Sequence, residues 1–160
     1  MTTNWSLKDS VLIRVDYNVP LKDGKVLDTS RITASLPTIR YFLKQNKHIT
    51  LMSHLGRPIN QEKKLSLYQI KPIIEKIIGE KIEFISTINF KKQVGLEPTR
   101  SNTRIRLLEN LRFYSGEQQN DLEFAKILSN YASTYINDAF GVSHRAHASV
   151  SRVHDFFPEN

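Results

Sequence analysis

A chain of 160 residues, 39% of them hydrophobic and 24% charged, can bury the core of one domain and is too apolar to be disordered. It holds no apolar run long enough to span a membrane, no basic and apolar start of a secretory signal, and no cysteine for a disulfide or a thiolate metal site. A cytoplasmic protein is expected, and the net charge of +7 leaves a nucleic acid, an acidic membrane surface or a small anion open as partner.

Residues 11–15, a β-branched run, predict a first strand, closed by the polar turn Asp16-Tyr17-Asn18-Val19-Pro20. Asp23-Gly24 is a turn dipeptide. Over residues 28–45, Ile32, Leu36, Ile39 and Leu43 form a helical stripe, with Asp28, Thr29 or Ser30 available as N-cap. Pro37 either starts this helix or kinks it, and the unbroken stripe favours a kink. Residues 48–52 predict the second strand, and residues 61–64 a polar loop. Ser66-Leu67-Tyr68-Gln69 has capping-box spacing. Ile70, Ile73, Ile74, Ile77 and Ile78 give the following helix its buried face, Pro72 falls near its start, and Gly79 supplies its C′ position.

Residues 81–85 predict the third strand, residues 90–94 a short helix and residues 103–108 the fourth strand. Asn120 or Asp121 caps a helix carrying Leu122, Phe124, Ile127, Leu128 and Tyr131, before a fifth strand over 134–137. Residues 138–149 read as a loop, or a loop entering a helix, and residues 151–160 show no clear element. Strands and helices alternate, so the fold class is α/β: an open, doubly wound, Rossmann-like parallel sheet with helices on both faces.

Strand ends then locate the chemistry. Ser53-His54-Leu55-Gly56-Arg57-Pro58 follows the second strand as a turn, placing an imidazole and a guanidinium where open α/β sheets bind ligands. Asp16 and Asn18 follow the first strand, Arg112 the fourth, and Arg145 the fifth, between His144 and His147; Arg31 lies at the start of the first helix. In a parallel sheet all of these share one edge. Four arginines there repel one another without an anion, and each guanidinium suits bidentate contact with phosphate or carboxylate.

Plainer readings stay open residue by residue. Asp16 and Asn18 also favour turns by bonding their own backbone. Arg31 could pair with Asp28 on a helix surface, and Arg112 with Glu109. Arg14 reads as a structural pair, and Lys63-Lys64 and Lys91-Lys92 as solvated surface. His144 and His147 lack nearby Cys, Asp or Glu to complete a zinc set, so no metal is expected. No G-x-G-x-x-G, G-x-x-x-x-G-K-[ST] or G-x-S-x-G occurs. Two alternatives are carried: a basic nucleic-acid-binding module, whose aromatics would need to interleave with the basic groups, and a non-catalytic anion-binding module.

Val15-Asp16-Tyr17-Asn18-Val19-Pro20, Ser53-His54-Leu55-Gly56-Arg57-Pro58, Glu109-Asn110-Leu111-Arg112-Phe113 and Ile136-Asn137-Asp138-Ala139-Phe140-Gly141, running on to His144-Arg145-Ala146-His147-Ala148-Ser149, stand in this order. With residues 28–32 as a fifth block, they resemble the amino-terminal half of the phosphoglycerate kinase family over residues 7–149. Tyr17 stands where the family often has Phe, and Asp9-Ser10 replaces a more usual Gly-basic pair. The larger departure is length. The family has a second α/β domain that binds nucleotide through lysines and glycine-rich turns, so the chain is read as a fragment.

The resemblance implies a glycolytic transferase, a kinase moving a phosphoryl group between ATP and the carboxylate of 3-phosphoglycerate, reversibly forming 1,3-bisphosphoglycerate and ADP. It implies that His54, Arg57, Arg112 and Arg145 hold the substrate phosphate, and that Asp16 and Asn18 orient its hydroxyl and carboxylate. It also implies that Arg31 binds substrate and is the catalytic residue, leaning towards the transferring phosphoryl. Residues 1–150 would form the phosphoglycerate-binding domain and residues 151–160 the start of a linker. Mg-ATP or Mg-ADP would bind mainly to the absent domain, with no cofactor on this chain. A monomer is expected, with 3-phosphoglycerate as small-molecule partner and neither nucleic acid nor membrane. The 160-residue chain alone is expected to bind that substrate weakly and turn over nothing.

Overall fold

The computed structural model describes residues 7–88 and 102–158. The predicted helix over 90–94 lies outside them. Five strands form one parallel sheet: β1 (Ser10–Arg14), β4 (His48–Met52), β5 (Ile82–Ile85), β6 (Ile105–Leu108) and β7 (Thr134–Asn137), in the order β5-β6-β4-β1-β7. The expected α/β class and the parallel sheet are therefore observed. Bounds differ slightly: the first strand begins at Ser10 and ends at Arg14, and the fourth begins at Ile105.

Side chains alternate across the strands, so the sheet has two buried faces. Val11, Ile13, Ile49, Leu51, Ile105 and Leu107 occupy one, under Ile32, Ile39, Ile70, Ile74 and Ile78. Leu12, Met52 and Leu108 occupy the other, under Phe124, Ala125, Leu128, Ala148 and Val153. Each such fully buried aliphatic adds roughly 1.5–3 kcal/mol, enough for apolar burial to dominate the stability of the sheet.

The stripe over 28–45 forms two helices, α1 (Ser30–Ala34) and α2 (Leu36–Lys44), broken at Ser35. The expected kink is thus a break of one residue. Pro37 has no N–H to offer Thr33, while Ser35 donates its N–H and its hydroxyl to Ile32 O at 3.1 and 2.7 Å. Thr29 is the N-cap residue but makes no side-chain cap, and Asp28 accepts from Ser30 N at 2.8 Å instead.

Half of the capping box at Ser66 forms: Ser66 is the N-cap residue, but of a 3-10 turn, and the Gln69 side chain does not bond back to it. Ser66 accepts from Tyr68 N at 3.2 Å and donates to Glu109 at 2.6 Å, while Gln69 donates to Lys63 O at 2.5 Å. Glu109, from another strand end, accepts from the Ser66 hydroxyl at the head of a 3-10 turn (Leu67–Ile70) that precedes α3 (Lys71–Ile78). Pro72 lies in the first turn of α3, and Gly79 ends it at φ +81°, as the sequence predicts.

Asp121 caps α5 (Leu122–Ser129), accepting from Phe124 N at 2.7 Å. Three pieces escape the sequence reading: a hairpin of β2 (Leu21–Lys22) and β3 (Lys25–Val26) around Asp23-Gly24, a short α4 (Ser115–Gln118), and the last segment. Ala148–Arg152 is a π-helix and Val153–Phe156 a 3-10 turn, so residues 151–156 have structure where none was expected. Their apolar signal is short, and it is completed by packing against α5. Among the described residues no helix is long and apolar enough to cross a membrane.

Strand order creates an opening. β4 sends the chain to β5 at one edge, whereas β6 sends it to β7 at the other. The helix after β4, α3, packs on one face and the helix after β6, α5, on the other, and neighbouring strands whose connections leave for opposite faces open a crevice at their carboxyl ends.

Candidate functional site

The turn after β1 is wound locally: Asn18 N donates to Asp16 Oδ1 at 3.1 Å and Val19 N to Tyr17 O at 2.8 Å. Tyr17 anchors it from below. It is fully buried, its N–H donates to Ser53 Oγ at 2.9 Å, and its hydroxyl lies 2.9 Å from that of Ser35. Burial raises the Tyr17 phenol well above its usual range. The turn reading of Asp16 and Asn18 is therefore correct, and the same turn brings both residues to the crevice.

The segment after β4 is held by the segment after β6. Asn110, fully buried, accepts from Leu55 N at 3.2 Å and donates to Leu55 O and Leu65 O, each at 2.8 Å. Leu111 N donates to Ser53 O at 3.0 Å. Gly56 sits at φ +62°, and a Cβ there would meet Leu65 Cδ2 at 2.8 Å. Its N–H donates to Asn18 Oδ1 at 2.8 Å, and its carbonyl accepts from the Arg112 guanidinium at 2.9 Å. Asn110 and Gly56 thus align three loops, although the sequence reading assigned Asn110 no role.

All seven residues predicted from the sequence, Asp16, Asn18, Arg31, His54, Arg57, Arg112 and Arg145, line one cleft of about 170 Å³, with Gly141 and Val142 completing the wall. That volume is below the roughly 300 Å³ at which drug-sized pockets begin, so the cleft suits a small ligand. Arg31 donates to Asp16 Oδ1 at 3.1 Å and Asn18 O at 2.9 Å, so its partner is Asp16 and not Asp28. Arg112 bonds Gly56 rather than Glu109, whose carboxylate accepts from Ser66, Leu67 and Asn110. Among the described residues, Arg57 and Arg145 have no carboxylate within ion-pair distance, and Arg112 Nε is buried without a partner.

The electrostatics follow from this crowding. Burial and then Arg145, Arg14 and Arg57 pull the Arg112 guanidinium below its usual value. Burial and then Arg14, Arg112 and Arg145 push the His54 imidazole down to about 2, so the ring is neutral at ordinary pH. His147, half-buried nearby, is lowered first by burial and then by Arg112 and Arg145. His144 is exposed and does not line the cleft. Among the described residues no group of three or more His, Asp or Glu is placed to hold a metal ion.

Fold and site together define a class: an α/β domain with a small basic cleft at the carboxyl edge of its parallel sheet, the ligand position of open α/β folds. The profile described as phosphoglycerate kinase matches residues 3–160. A phosphoglycerate kinase of Wolbachia from Drosophila simulans is 44% identical over 149 residues, 93% of this chain and 37% of that protein. One from Chlamydia trachomatis is 46% identical over 157 residues, again 93% of this chain and 38% of that protein. The solved phosphoglycerate kinase of Coxiella burnetii superposes with a TM-score of 0.79 at 34% identity, covering 98% of this chain and 39% of that one. The chain belongs to the phosphoglycerate kinase family and spans less than two fifths of the length of these relatives.

Proposed function

We infer that the cleft binds 3-phosphoglycerate and that the chain supplies the phosphoglycerate half of a glycolytic kinase acting reversibly with Mg-ATP. The observation that carries this reading is the gathering of Arg57, Arg112, Arg145 and neutral His54 around a cleft whose lining includes Asp16 as its carboxylate. Guanidinium forks and an N–H donor match a phosphate, and their mutual repulsion is relieved when one arrives.

The roles divide by position. Arg57, Arg112 and Arg145 hold the phosphate together with His54. Asp16 accepts the substrate hydroxyl, and Asn18 and Arg31 orient the carboxylate. Arg31, half-exposed at the rim, is placed to stabilise charge developing on the transferred phosphoryl group. Nucleotide and Mg²⁺ are assigned to the part of the family's length beyond this chain. Residues 1–150 are taken as the binding unit and 151–160 as the start of the passage to that part, with Val153 still buried against α5. A cytoplasmic monomer fits this assignment. Family membership does not favour a nucleic-acid-binding module.

Calorimetric titration of the chain with 3-phosphoglycerate tests the reading. Saturable one-to-one binding, weakened by added sulfate and stronger than binding of glycerate without its phosphate, is expected. No saturable binding at millimolar ligand would overturn it. Turnover of ATP with 3-phosphoglycerate by this chain alone would refute the assignment of the nucleotide elsewhere.

A further inference from the structure

Behind the cleft lies a buried polar network that the site has not used. Arg14 on β1, Ser149 and Glu117 are all fully buried. A guanidinium taken out of water is costly unless its donors are engaged. Arg14 Nε donates to Ser149 Oγ at 2.9 Å, one terminal nitrogen donates to Val15 O at 2.6 Å, and the other meets His54 Nδ1 at 2.9 Å. Ser149 in turn donates its hydroxyl and its backbone N–H to Glu117 Oε1, at 2.9 and 3.0 Å. The path runs from a carboxylate on α4, through Ser149 and Arg14, to the imidazole at the cleft.

Its last link has one chemical reading. A guanidinium offers only donors, so His54 Nδ1 must present a lone pair. A neutral ring then carries its proton on Nε2. A doubly protonated ring would set N–H against N–H. Nε2 has no protein partner among the described residues, and His54 lines the cleft. Without Arg14, a neutral imidazole would divide between two tautomers. The wrong one would present a lone pair to a phosphate oxygen, an acceptor against an acceptor.

We propose that Arg14, held by Ser149 and Glu117, is a positioning residue that keeps His54 as the Nε2–H tautomer, so that the ring can only donate towards an anion in the cleft. The inference rests on the phosphoglycerate reading for the identity of that anion, and for nothing else.

Nitrogen-15 spectroscopy of the histidine-labelled chain reads the tautomer directly, with and without 3-phosphoglycerate. The wild-type ring is expected as Nε2–H from pH 8 to pH 5. Arg14→Met should admit the Nδ1–H form and weaken 3-phosphoglycerate binding about tenfold or more. Ser149→Ala loosens Arg14 without removing it and should move the same signals less, so it carries the test if Arg14→Met does not fold. A wild-type ring found as Nδ1–H, or a folded variant of either kind whose His54 stays purely Nε2–H with unchanged affinity, overturns the proposal. The tautomer is read without ligand, so a wild-type chain that fails to bind strikes the phosphoglycerate reading and leaves this one standing.

Discussion

Towards the amino ends of the strands, Arg104 meets Glu80 at 3.0 Å, Arg106 meets Glu83 at 3.0 Å and Lys47 meets Asp9 at 3.2 Å. At the carboxyl ends, Arg57, Arg112 and Arg145 meet no carboxylate within ion-pair distance among the described residues. Acids do lie at that end, but they are engaged elsewhere: Glu109 by Ser66 and two backbone N–H groups, Asp138 by Thr38. The pairs at the amino ends serve the fold, whereas at the carboxyl ends, where Arg31 and Asp16 pair across the rim, three guanidiniums left facing one another are a strain that an anion relieves. One sheet thus carries a structural end and a receiving end, although arginine is common to both.

Exchanging charge for an apolar stem at each end should separate the two roles. Arg106→Met leaves Glu83 without its partner in a largely buried pair, so urea denaturation should show a loss of about 2–4 kcal/mol. The folded fraction should bind 3-phosphoglycerate as before. Arg145→Met, on an exposed residue, should do the reverse: stability within about 0.5 kcal/mol of wild type, and binding weakened about tenfold to a hundredfold by calorimetry. A variant that moved both quantities together would erase the distinction.

The pH dependence of stability sharpens the same contrast. Above pH 6.5 neither the folded nor the unfolded chain protonates His54, so the ring contributes no slope. Between 6.5 and about 2 only the unfolded chain takes the proton, so stability is lost as the pH is lowered, by up to about 1.4 kcal/mol per unit. Denaturation at pH 7 and pH 5 should differ by about 2 kcal/mol from this source, and His54→Gln should remove that share. The smallest expected effect is at Gly56. Ala there is held at φ +62° with its Cβ against Leu65, costing about 1–2 kcal/mol in a thermal melt and shifting the carbonyl that Arg112 bonds. Binding should weaken by less than it does in Arg145→Met.

Much of this was legible along the chain. Turn residues after apolar runs marked where strands end, and the residues there, Asp16, Asn18, His54, Arg57, Arg112 and Arg145, converge on one cleft. The misreadings share a cause. Ser66 has the spacing of a capping box, yet its hydroxyl goes to Glu109, 43 residues away. Arg31 bonds Asp16 across the mouth of the cleft rather than Asp28 within its own turn. Residues 148–156 lack a long periodic signal and take helical form where α5 covers them.

By itself, the amino-acid order determined the alternation of strand and helix and which basic residues follow each strand, because periodicity and turn chemistry act over a few neighbouring residues. Only the tertiary structure decided which arginines would find a glutamate and that Arg14 would turn beneath His54. Those outcomes depend on strand order, with β1 lying between β4 and β7, and on a bond such as that from Arg14 to Ser149 across 135 residues. No local rule reaches that far: such a contact forms only once the sheet has brought its ends together.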